Sequence, residues 1–291
     1  MLVELLSIVA PIYITIGLGY GWARSGRRYD TDLITDLVMS IGAPCLVFSS
    51  LIRLDMDPSA LAGMVGATLV ALASFSLVAG IVLRAARLPH TSFLSPMVFA
   101  NTGNMGLPVC LFAFGREGLA LGVCFYATCA ISQFTVGLWM WTGEVSFREL
   151  LRTPLAYSGL LSALVVTTGA SVPEWIQRTA GLLGDFTIPL MQFTLGVTLA
   201  RLHLGAVPRS FALSMLRIGM GLALGIGLSE LLQLEGVARG VFILNCAMPV
   251  AVLNYLLAEK YGRSPGDVAS LVVLSTLISL VSLPLILAWL L

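Results

Sequence analysis

Apolar runs of roughly twenty residues, each closed by a short polar break, follow one another along the whole chain. A helix needs about 20 apolar residues to cross about 30 Å of hydrocarbon. Ten segments meet that requirement, at approximately 3–23, 33–52, 59–83, 91–115, 118–142, 154–172, 179–201, 209–232, 237–259 and 267–290. The first follows the initiator almost at once, without a basic leader or a small-residue cleavage site, so it reads as a retained span. The longest connection, Gly143 to Thr153, falls at the midpoint. The pattern predicts an all-α integral membrane protein of ten transmembrane helices.

Five spans on either side of the midpoint mean that a duplicated half must insert upside down. The polar punctuation supports a duplication. Span four carries Asn104-Met-Gly-Leu-Pro108 and span nine carries Asn245-Cys-Ala-Met-Pro249, each followed by valine. Span two has Pro44 with Phe48 four residues on, and span seven has Pro189 with Phe193; Pro11 opens span one much as Pro154 opens span six. Residues 1–142 then form a first five-helix repeat, 143–153 a cytoplasmic linker, and 154–291 a second, inverted repeat. Such a repeat points to a secondary transporter with its site between the halves, near the membrane midplane.

Composition agrees. Of the 291 residues 58% are hydrophobic and 11% charged, against about 25% charged in soluble domains, and the mean hydropathy is +0.96. The partner this surface requires is a lipid bilayer. A net charge of +1 excludes nucleic acid, which calls for a concentrated basic face. Arg53, Arg116, Arg178 and Arg239 lie on the side shared by the termini. Arg24, Arg27, Arg28, Arg84, Arg87, Arg148, Arg152, Arg201, Arg209, Lys260 and Arg263 lie on the other. The excess of arginine and lysine marks the cytoplasmic side, so both termini are expected outside the cytoplasm, in a multi-pass protein of the cell (inner) membrane. The five cysteines sit singly in apolar stretches and the two histidines, His90 and His203, in polar loops. No metal or cofactor is expected.

The candidate chemistry lies where spans four and nine are interrupted. Ala100-Asn-Thr-Gly-Asn-Met-Gly-Leu-Pro108 sets Asn101, Thr102, Asn104, two glycines and Pro108 in the middle of an apolar segment. Glycine permits unwound backbone, proline removes an amide donor, and asparagine supplies donors and acceptors without formal charge. Lipid does not tolerate such a break unless it faces a cavity or protein. Asn245, Pro249 and Asn254 form the counterpart in span nine. Two crossing broken helices would aim helix N-termini, each about half a positive charge, at one point, and a carboxylate suits that field. Asp36, Asp185 and Arg217 are the ionisable groups inside spans. Either aspartate reads as an interfacial cap or as the carrier of a coupled proton. Arg217 reads as an attractor of anions, a support for the broken helices, or a snorkelling side chain. Gln133, in span five, reaches either a neighbouring helix or the cavity. Trp139 and Trp141 read as interfacial anchors.

At these residues the chain resembles the auxin efflux carrier family, which includes the plant PIN carriers and many bacterial transporters. The resemblance spans nearly the whole chain. It is carried chiefly by Asn101-Thr-x-x-Met-Gly-x-Pro108 and by Ala247-Met-Pro-Val-x-x-x-Asn-Tyr-Leu-Leu-Ala-Glu-Lys-Tyr-Gly262. It implies a fold like that of bile-acid symporters and sodium–proton antiporters, with helices four and nine crossed. It also implies a scaffold of helices 1, 2, 6 and 7 that dimerises through helices 2 and 7, and a moving core of helices 3–5 and 8–10 that carries substrate by an elevator motion. Carboxylate recognition is implied for the crossing, at Asn101, with Gln133 and Ser49 at looser pocket positions. Small organic anions, mono- or dicarboxylates, are the implied substrates, with a proton, sodium or no coupled ion. The chain lacks the long central loop of many plant members, and span three lacks their Asp and Lys. A sodium-coupled symporter of bile-acid type is the nearest alternative. An intramembrane enzyme would need serine with histidine, paired aspartates or HExxH at depth, and the sequence offers none of these.

Overall fold

The computed structural model describes residues 2–52, 57–143 and 154–291. Arg53, Arg148, Arg152 and nearly all of the expected 143–153 linker lie outside them. Among the described residues every regular element is a helix.

The helix starts follow local chemistry. Asp30 accepts from Leu33 N at 3.0 Å ahead of the Thr31–Leu37 helix. Asp57 accepts from Ser59 N at 2.9 Å ahead of Pro58–Ala85, whose first residue is the proline that needs no partner for an amide. Pro208 and Pro265 likewise fall in the first two positions of Val207–Leu231 and Pro265–Leu290. On the outside the helices turn large apolar side chains outward, among them Leu18, Leu77, Leu160, Val281 and Leu285. Polar side chains such as Thr68, Ser162, Ser214 and Asn245 are buried instead. That inversion is what a lipid solvent selects.

Seven helical segments among the described residues are long and apolar enough to cross a membrane: Leu5–Arg24, Thr31–Ile52, Pro58–Ala85, Thr102–Thr142, Glu174–Arg201, Val207–Leu231 and Pro265–Leu290. The difference from ten expected segments has a physical origin. Thr102–Thr142 runs 41 residues, about twice what a bilayer needs, and turns at Gly115, whose φ of 65° and ψ of −152° only glycine adopts readily. It therefore covers the end of the fourth expected segment and all of the fifth. The start of span four is the separate helix His90–Val98, and span nine is divided into Gly236–Cys246 and Leu253–Lys260. Each piece is too short to be counted as a span on its own, as is Pro154–Thr168.

Two packing groups are visible. Leu2–Arg24 lies along Thr187–Arg201, and Ala43–Ile52 lies against Pro154–Thr168 and Glu174–Asp185. The first pair approaches backbone to backbone: a Cβ at Gly19 would sit 2.0 Å from Phe193 O, and one at Gly196 would sit 1.9 Å from Ile16 O. In the other group Val207–Leu231 packs on Pro265–Leu290 and Gly236–Cys246, and Pro58–Ala85 packs on His90–Val98 and Leu107–Ser132. The interrupted helices belong to this second group.

Candidate functional site

The first interruption begins where the His90–Val98 helix gives way to extended backbone at Phe99 (φ −93°, ψ 111°). A wide π-helical turn, Thr102–Gly106, then leads into Leu107–Ser132. Pro108 has no amide to donate to the turn before it, and Asn101 O accepts from both Met105 N and Gly106 N at 3.3 Å. The second interruption begins after Cys246, and helix resumes at Leu253.

The two breaks pair with each other. Asn101 N donates to Pro249 O at 2.7 Å and Ala251 N donates to Phe99 O at 3.2 Å, around an antiparallel bridge between Ala100 and Val250. Val250 N donates to Ser275 Oγ at 3.0 Å. Unwound backbone in an apolar interior is thereby satisfied by protein on both strands.

Beside this crossing lies a partly enclosed cavity of about 120 Å³. On one side it is bounded by Ala100 to Asn104, Gln133 and Ala251 to Leu253. On the other stand Thr31, Thr35, Met39, Met191, Thr194 and Thr198. It therefore sits between the two packing groups. No lining residue carries a formal charge. Two helix starts border it, Thr102–Gly106 and Leu253–Lys260; there Thr102 N donates to Ala100 O (2.9 Å), Asn254 N to Ala251 O (3.1 Å) and Tyr255 N to Val252 O (2.9 Å). Asn101 is 4% exposed, and its Nδ2 has no hydrogen-bond partner.

Of the residues singled out from sequence, Asn101, Thr102, Asn104 and Gln133 line the cavity. The others stand elsewhere. Asn254 is fully buried behind Gln133, where Oδ1 accepts from Ser95 Oγ (2.8 Å) and Gln133 Nε2 (3.4 Å), and Nδ2 donates to Phe99 O and Ala251 O (3.2 Å each). Asn245 donates to Val241 O at 2.9 Å and to Cys110 Sγ at 3.2 Å. A Cβ on Gly106 would lie 2.4 Å from its Oδ1. Pro249 contributes its carbonyl to the crossing, and Pro108 is buried in the first turn of Leu107–Ser132. Ser49 donates to Leu46 O (3.4 Å) beside Gly184, away from the cavity. Asp36 and Asp185 are exposed and outside the lining. Arg217 is fully buried and donates to Cys246 O at 3.0 Å. Trp141 is buried in a small cluster with Leu257, Ala258 and Val268, while Trp139 is exposed.

The wall facing the crossing was not anticipated from sequence. Thr31 with Thr35, and Thr194 with Thr198, are hydroxyl pairs four residues apart, hence on one face of a helix. That spacing was the available signal.

Comparisons with known proteins point the same way. A family described as membrane transport protein matches residues 5–145 and 139–287. An uncharacterized transporter of Methanothermobacter thermautotrophicus is 29% identical over 293 residues, 95% of each chain. Another, from Methanocaldococcus jannaschii, is 28% identical over 200 residues, 65% of this chain and 64% of that one. Auxin efflux carrier component 1 of Arabidopsis thaliana is 27% identical over 142 residues, 46% of this chain and 23% of its own.

Proposed function

The chain belongs to the membrane transport protein family, and from that premise we propose that it is a secondary transporter of small organic anions, mono- or dicarboxylates. One observation carries the anion reading: a buried Asn101 amide with an idle Nδ2, lining an uncharged cavity between two helix starts. One idle amide donor and the positive ends of two helices favour a carboxylate, and nothing acidic in the lining opposes one.

The architecture proposed with it is ten spans in two inverted five-helix repeats, 1–142 and 154–291. Helices 1, 2, 6 and 7 are the scaffold and the remaining six are the carrying core. Support comes from the two packing groups and from the cavity's place between them. A core sliding along a wall of threonines and methionines would take the crossing, and the anion on it, from one membrane face to the other. The protein would sit in the cell membrane with both termini outside the cytoplasm, as a homodimer through helices 2 and 7. An inside-negative potential favours anion exit by about 2.3 kcal/mol per charge at 100 mV, so uptake would require a coupled proton or sodium.

The test is a thermal-shift series on the purified protein with propionate, malonate, malate and indole-3-acetate, with and without sodium, at two pH values. Asn101→Ala runs alongside, since the backbone bonds of Asn101 survive that change. At 100 times its Kd a carboxylate adds about 2.7 kcal/mol. The expected result is an upward shift in the parent that the variant, melting near the parent without ligand, has lost. Carboxylates that leave the parent unmoved while cationic or neutral solutes stabilise it would refute the anion reading.

A further inference from the structure

The two half-helices that end at the crossing are capped by different chemistry. Past the end of His90–Val98, Phe99 O meets neutral donors, Ala251 N and Asn254 Nδ2, both at 3.2 Å. The end of Gly236–Cys246 meets a charge: Cys246 O accepts from Arg217 Nη1 at 3.0 Å. Arg217 has no exposed surface, and its guanidinium lies 4.7 Å from the centroid of the Phe75 ring. Nε and Nη2 have no hydrogen-bond partner, and among the described residues no carboxylate pairs with it. A Cβ on Gly221, one turn along, would sit 2.2 Å from the same Cys246 O, so the Val207–Leu231 backbone is held hard against the break. The interruption that opens at Cys246 runs on to Ala251, Val252 and Leu253, which line the cavity.

Capping one carbonyl does not need a guanidinium. Asn254 caps the other half with a neutral amide that leaves no donor idle, whereas a buried, unpaired cation carries a heavy desolvation penalty. What Arg217 adds is charge. Two helix N-termini and two C-termini meet at the crossing, each about half a charge, and their sum is about zero. With the guanidinium the sum is about +1.

We infer that Arg217 is a positioning residue whose fixed charge, set on the C-terminus of the Gly236–Cys246 half-helix, makes the uncharged cavity prefer an anion to its neutral analogue. The inference rests on the proposed anion transport and adds the source of its charge selectivity. At about a helix diameter, ~10 Å, and an effective dielectric of about 20, one unit charge changes an anion's affinity by roughly tenfold.

The experiment measures binding of propionate and propionamide, and of malonate and malonamide, to the full-length protein by calorimetry. Arg217→Gln keeps a donor for Cys246 O without the charge, and Arg217→Lys keeps the charge. The expected result is about a tenfold loss of carboxylate affinity in Arg217→Gln, amide affinity unchanged within about twofold, and near-parental behaviour in Arg217→Lys. Equal losses for acid and amide, or a glutamine variant that binds acids as the parent does, would overturn the inference and leave anion transport standing. A parent that binds none of propionate, malonate, malate and indole-3-acetate sinks both. Should Arg217→Gln not fold, Cys246→Asp supplies a carboxylate beside an intact guanidinium and must produce the same selective loss.

Discussion

Asn101 and Asn254 stand within one crossing and do opposite work. Asn254 spends all its capacity inside the protein, joining both breaks and span five through Ser95, Gln133, Phe99 and Ala251. Asn101 bonds through its backbone, and its Nδ2 has no partner although the residue lines the cavity. Asn254→Ala would strand Ser95 Oγ and weaken the hold on Phe99 O, each buried polar loss costing about 1–3 kcal/mol. A melting midpoint well below that of the parent and of Asn101→Ala is the expected outcome. Equal midpoints would show that Asn254 is no clamp. Both residues were singled out from sequence for one role, because an asparagine near a proline announces polarity but not which neighbours consume it.

At the scale of elements, Leu2–Arg24 and Thr187–Arg201 are held together by two glycines acting reciprocally, Gly19 on Phe193 O and Gly196 on Ile16 O. No side chain fits there, so Gly196→Leu must force the helices apart. Loss of folded, monodisperse protein in detergent is expected, whereas Gly17→Leu, with open space around it, should be tolerated. Similar purification profiles for the two variants would count against the clamp. The connection after Arg201 has its own ties. Arg201 donates to Thr31 Oγ1 and Tyr29 O, both at 2.9 Å. Gly205 N donates to Gly266 O (2.9 Å) and Ser270 Oγ (2.7 Å), and Asp267 takes Ala206 N (2.9 Å) and Arg209. Leu202 to Leu204 thus link an end fixed on one packing group to an end fixed on the other. The two Asn-x-x-x-Pro stretches marked the interruptions, whereas Pro11 and Pro189 lie inside helices, and the glycine contacts could not be read, since Gly17 and Gly19 look alike in a one-dimensional pattern.

For the whole molecule the proposed orientation has a direct check. Single cysteines at Gly26 and Gln233 lie in connections on opposite sides of the bilayer by the arginine count. In intact cells a membrane-impermeant maleimide should label the Gln233 site and spare the Gly26 site until the membrane is opened. The reverse pattern would invert the protein. The native cysteines are buried or half-buried, which keeps the background low. Hydropathy by itself determined the solvent and the helical class, which depend on the local transfer free energy of a stretch, and the polar run from Asn101 to Pro108 with its counterpart around Pro249 marked the two interruptions. Only the tertiary structure decided that the breaks pair through Asn101 and Pro249, that Arg217 faces Cys246 O, and that Thr31, Thr35, Thr194 and Thr198 close the cavity. Each of those outcomes turns on which face of a helix meets a partner many residues away, and a local pattern carries no information about that partner.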